Sequence, residues 1–102
     1  MGSVQEGYPE AFDREMGCTE SEWLSWLPGA TGGRPLALEP GRASVGIDGG
    51  LLVLRWRVLP PRRIALITLP RLAVEFRFEG IAAAPRAAFM RYFDLYLQRG
   101  GG

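Results

Sequence analysis

Between Arg42 and Gly80 the chain is a succession of apolar runs of strand length, each separated from the next by turn residues. RASVGI gives way to DGG, LLVLRWRVL to PPRR, IALITL to PR, and LAVEFRFEG follows. In the first run Ala43, Val45 and Ile47 share one side. In the second, Leu52, Leu54, Trp56 and Val58 share one side, with Arg55 and Arg57 on the other. The third, Ile64 to Leu69, is apolar on both sides apart from Thr68. In the last, Leu72, Val74, Phe76 and Phe78 alternate with Glu75, Arg77 and Glu79, the period-two pattern of a half-buried strand. Asp48-Gly49-Gly50 predicts a tight hairpin, because such turns need residues that accept positive φ. Pro60-Pro61-Arg62-Arg63 reads as the next turn. Pro70-Arg71 makes a poor two-residue hairpin and predicts a bend or bulge. Connections this short leave no room for crossover helices, so the sheet is expected to be an antiparallel meander.

The flanks supply what covers one face of that sheet. Thr19-Glu20-Ser21-Glu22 is a capping-box pattern, with Cys18 before it and Trp23 after it placed as a hydrophobic staple. A short helix over 19–27 follows, stopped by Pro28. Phe89, Tyr92, Phe93, Tyr96 and Leu97 recur at helical spacing and predict a helix over 85–99, with Pro85 at its first position and Gly100 as C-cap. Leu36 and Leu38 alternate in a Gly/Pro-rich connector and would form a short edge strand. Tyr8, Phe12 and Met16, four apart, suggest a short helical stripe, although residues 1–17 would equally serve as a loose arm. The expectation is one two-layer α+β domain. It holds an antiparallel meander of four or five strands, a C-terminal helix packed on one face, and a short N-terminal helix.

A chain of 102 residues is long enough for one core without covalent staples. No apolar run approaches the ~20 residues of a membrane span. The N-terminus lacks a basic start and an apolar stretch, and Glu6 stands where a myristoylation site wants Ser or Thr. A cytoplasmic protein with no membrane partner is expected. The chain ends in Gly-Gly, as ubiquitin-like and sulfur-carrier proteins do, but here the tail leaves a helix rather than a strand.

Missing side chains bear on chemistry. The chain has no His, no Lys and a single Cys. Zinc sites built on Cys and His, a Ser-His-Asp triad, and a lysine Schiff base or P-loop lysine are excluded within one chain. No catalytic residue, metal site or cofactor is assigned. Cys18 is the one candidate nucleophile, and its staple position explains it without chemistry. Glu75 and Glu79 flank Arg77 as in a solvated strand face.

Two surfaces remain. Ala65, Ile67 and Leu69 would form an apolar strip on an otherwise wet face, with Trp23 and Trp26 nearby. That strip suits a protein partner or a second copy; equally, Trp23, Trp26 or the arm of residues 1–17 would cover it. Arg55, Arg57, Arg62, Arg63 and Arg71 would form a basic surface on the strands and turns. Residues 1–50 carry three Arg against eight acids, a net of −5, and residues 51–102 carry nine Arg against three acids, a net of +6. An acidic N-terminal half packing on a basic sheet would cancel these charges internally. The expected function is a non-catalytic accessory or interaction module that presents a sheet face or edge to a protein, as a homodimer or otherwise. The alternative is binding of an anionic ligand or single-stranded nucleic acid on the Arg surface.

Overall fold

The computed structural model describes residues 7–99. The Gly2–Glu6 segment, the Gly100 cap and the Gly-Gly tail lie outside the described residues. The architecture is the α+β two-layer arrangement expected from sequence. β1 (Ala11–Met16) is followed by α1 (Glu20–Ala30), β2 (Leu36–Glu39), β3 (Arg42–Ile47), β4 (Gly50–Ile64), β5 (Ile67–Glu79) and α2 (Ala83–Gln98). The strands form one antiparallel sheet in the order β1-β5-β4-β3-β2. β2 to β5 are a meander. β1 joins at the far side, beside the last strand, so α1 must carry the chain from one edge of the sheet to the other. α2 follows β5, and both helices contribute to one core with the sheet.

The fifth strand corrects the helical reading of residues 8–16. Tyr8, Phe12 and Met16 do point toward the core, each partly buried, but from an extended segment. A spacing of four satisfies a period of two as well as one of 3.6. Pairing with β5 decides between them, with Phe12 opposite Phe76 and Met16 opposite Leu72.

The turns read from sequence hold where a chemical reason was strongest. Asp48 and Gly49 both take positive φ, 46° and 79°, the signature of a two-residue hairpin turn of the primed type. Thr19 caps α1 as expected: its hydroxyl accepts from the Glu22 N–H at 3.1 Å and the Glu22 carboxylate accepts from the Thr19 N–H at 2.9 Å. Pro28 does not stop α1, which runs on to Ala30. Helix α2 begins at Ala83, two residues before Pro85, where a missing N–H still costs nothing.

The largest correction concerns the third predicted strand. Pro60-Pro61-Arg62-Arg63 is not a turn. β4 continues through it to Ile64, the chain reverses at Ala65-Leu66, and β5 returns through Pro70-Arg71. The prolines are tolerated because, among the described residues, no strand flanks the ribbon there to need their N–H. A register shift between Leu59 and Arg62 absorbs them on the β4 side.

The core centres on Phe93 of α2, fully buried. Its ring meets Phe76 of β5 edge-on, centroids 5.6 Å apart, and Trp23 of α1 at 6.1 Å. Trp23 meets Trp56 edge-on at 5.7 Å. Such pairs add to area burial because ring edges and faces carry opposite partial charge. Trp56 escapes an unpaired indole by donating to Glu20 at 2.8 Å, whereas the Trp23 Nε1 has no acceptor among the described residues.

Candidate functional site

β3 pairs with β4 only as far as Arg55, and β1 reaches β5 only as far as Leu72. Beyond those points, among the described residues, β4 and β5 pair with each other alone. Residues 59–70 therefore form a two-stranded arm that leaves the sheet. At ~3.4 Å per residue each strand of the arm runs roughly 20 Å. Leu59 lies opposite Arg71, Arg62 opposite Leu69, Arg63 opposite Thr68, and Ile64 opposite Ile67. Opposed residues share a side, and alternate residues along a strand share it too. One side thus carries Leu59, Arg62, Ile64, Ile67, Leu69 and Arg71. It continues onto the sheet face that points away from the helices. Arg63 and Thr68 point the other way.

The apex is apolar and wet. Leu66 is 101% exposed, Ile67 58%, Ile64 52% and Leu69 41%. Single exposed aliphatics are ordinary, but four contiguous ones on an element without a core are not. Of the residues picked out from sequence for an interaction surface, Ala65, Ile67 and Leu69 sit together here, though in a hairpin tip rather than on an in-sheet strand. Ala65 is the turn residue itself, with φ +53°. Trp23 is removed from that set by full burial, and Trp26 is a half-buried residue at the margin of the core. Val58, expected inward, is 65% exposed because the sheet has lost its helix cover by that point. Ile64 and Leu66 are the apex residues that a strand-by-strand reading missed, since the turn was placed four residues too early.

The arginines divide. Glu15 on β1 accepts from Arg71 Nε at 2.9 Å and Nη2 at 3.0 Å, while Arg71 Nη1 donates to the Pro60 carbonyl at 3.1 Å. Arg62 lies 3.8 Å from the same carboxylate. The hydrogen bond from Arg71 holds the Glu15 carboxyl below the usual range. Arg62 and Arg71 are thereby drawn to the foot of the arm. Arg63 has no carboxylate partner among the described residues.

At the foot of the arm lies an open depression of about 530 Å³, walled by Asp13, Glu15 and Glu75 on one flank and Arg55, Arg57 and Leu59 on the other. Ala73 is its floor, because the small residue sits between Glu15 and Arg57 in the cross-strand row. The acids lie on the β1 and β5 side and the bases on β4, with Arg55 paired across the strands with Glu75, so Arg55 and Arg57 do not stand in a purely basic field. Cys18 is buried, and burial followed by the Glu22 charge pushes its pKa up to about 11, against nucleophile chemistry. Among the described residues there is no cluster of metal-ligating side chains, and no helix is long and apolar enough to cross a membrane. Neither the known protein-family models nor the curated proteins contain a match to this chain.

Proposed function

We propose that the chain is a non-catalytic interaction module, acting in the cytoplasm, that docks on a protein through the β4–β5 arm. The observation that carries this reading is the wholly exposed Leu66 at the tip of a ribbon whose neighbours Ile64, Ile67 and Leu69 are also left in water. An isolated two-stranded ribbon is marginal in water and gains from a cover. A buried thiol with a raised pKa, together with the lack of His and Lys, supports the non-catalytic part. The lone unpaired thiol fits a reducing compartment.

The alternative, an anionic ligand or single-stranded nucleic acid on the Arg surface, has less behind it. Arg62 and Arg71 already share Glu15, and Asp13 and Glu75 stand beside Arg55 and Arg57. The test is a photo-cross-linking side chain placed at Leu66 in the full-length protein in its own cells, with Ser21 on α1 as the control position. A discrete adduct from position 66 alone is expected. No adduct from either position removes the reading.

A further inference from the structure

Beyond the Leu59–Arg71 pair the arm has no core to fix its direction. Every residue from Pro60 to Leu69 is exposed. Among the described residues, neither β1 nor β3 runs beside it. Its own ladder is interrupted at the base. Between the Leu59–Arg71 pair and the Arg62–Leu69 pair, β4 has two residues, Pro60 and Pro61, where β5 has one, Pro70. One extra residue on one strand is a bulge, which bends and twists the ribbon. None of the three prolines has an N–H to give to the ladder. The arm is therefore joined to its sheet through a break, and a break of this kind is a hinge.

One side chain bridges that hinge. Arg71 stands on β5 beside the break. Its Nε and Nη2 donate to the two Glu15 carboxylate oxygens on β1, at 2.9 and 3.0 Å, and its Nη1 donates to the Pro60 carbonyl on β4 at 3.1 Å. A single planar group thus ties β1, β5 and the hinge residue of β4 together. Among the described residues, no other side chain of 60–71 hydrogen-bonds to another strand of the sheet. Exposed ion pairs ordinarily contribute little, and the two-pronged arginine–carboxylate geometry is the exception. The rigid fork is already shaped for its acceptors and loses less freedom for each bond formed. Arg62, 3.8 Å from the same carboxylate, lacks that geometry.

We infer that Glu15 and Arg71 form a latch that sets the angle of the arm, with Pro60-Pro61 and Pro70 as its hinge. Latched, the arm presents its apex in one direction. Unlatched, it pivots as a unit, because its strands stay paired out to Ile64 and Ile67. The latch concerns the attitude of the arm and not its occupant, so it goes beyond the docking reading and is tested separately from it.

The experiment measures the distance between nitroxide labels by double electron–electron resonance. One label is placed through Leu66→Cys at the apex and the other through Leu95→Cys on α2, both exposed positions, while Cys18 is buried and stays unlabelled. The expected result without further change is one narrow distance. Glu15→Gln should broaden the distribution and shift its centre, because a neutral amide has one oxygen to offer the fork. Arg71→Lys should do the same, because an ammonium keeps the charge but cannot span the carboxylate and the Pro60 carbonyl together. Arg62→Gln should leave the distribution narrow. Matching thermal melts are expected, since the pair lies outside the core. Label motion at the apex is common to all variants, so the differences read the arm. A broad distribution before any latch variant is made overturns the proposal. So does a Glu15→Gln distribution that matches its parent, or an Arg62→Gln variant that broadens as far as Glu15→Gln. A photo-cross-link at Leu66 that captures nothing removes the docking reading and leaves the latch standing; a failed latch leaves the docking reading standing.

Discussion

Arg14 and Asp94 are 80 residues apart in sequence and form a two-pronged ion pair, Nη1 to Oδ1 at 2.6 Å and Nη2 to Oδ2 at 3.0 Å. The pair ties the edge strand β1 to α2. Tyr8 donates its hydroxyl to the same carboxylate at 2.7 Å, and Arg86 of α2 donates to the Tyr8 carbonyl at 2.7 Å. The Arg14 guanidinium also lies 5.4 Å from the Phe76 ring centroid. The polar staple is thus laid over the aromatic core and not out in solvent.

Asp94→Asn tests that staple. Burial alone would raise the Asp94 pKa, but the hydrogen bonds from Arg14 and Tyr8 outweigh it and hold the carboxyl below its ordinary value. A depressed folded pKa contributes stability above the unfolded pKa of about 3.9, and that contribution is lost as pH falls through the folded value. The variant should lose about 1–3 kcal/mol near neutral pH, the scale of a charge-assisted hydrogen bond. The gap to wild type should narrow below about pH 4. Urea denaturation at both pH values reads it.

Phe93→Ala should be among the most damaging single changes. Its ring is fully buried and sits between Phe76 and Trp23, so truncation opens a cavity lined by rigid aromatics. A loss of ~3–5 kcal/mol is expected in chemical denaturation.

Gly50→Ala should destabilise by ~1–3 kcal/mol. A Cβ there would lie 2.5 Å from the Glu79 carbonyl oxygen and 2.6 Å from that of Gly80. Both contacts are backbone, so the β4–β5 pairing must shift to admit it. A thermal melt is sufficient to see this.

Ala65→Gly should do the reverse, and locally. Ala65 holds φ +53°, a conformation that costs an L-residue ~1–2 kcal/mol and glycine almost nothing. Part of that gain is returned as unfolded-chain entropy, leaving roughly 0.5–1 kcal/mol. Amide exchange at the arm should slow by a few-fold, with exchange at the core strands unchanged.

Cys18 should resist thiol reagents in the folded protein. With its pKa raised to about 11, almost no thiolate exists near pH 8. Reaction with a disulfide reagent should be slow natively and fast in urea. A native rate like that of free cysteine would contradict the burial.

Much of this protein was settled by its sequence alone. The capping box at Thr19, the Asp48-Gly49 turn, the alternation through β3, β5 and the first half of β4, and the stripe of α2 each follow from chemistry acting within a few residues. That local agreement specified an α+β domain with an antiparallel sheet. Tertiary structure decided what local chemistry leaves degenerate. Residues 8–16 carry a spacing that a helix and a strand both accept, and only the free edge of β5 selects the strand. Trp23 has the character of an exposed anchor until α1 crosses the sheet and closes over it. Pro60 and Pro61 look like a turn because a proline cannot sit inside a sheet. They lie instead in an arm that has left the sheet, where no neighbour asks for the missing N–H. The arm exists because β4 and β5 are longer than β1 and β3. That mismatch belongs to four strands at once and is written in none of them.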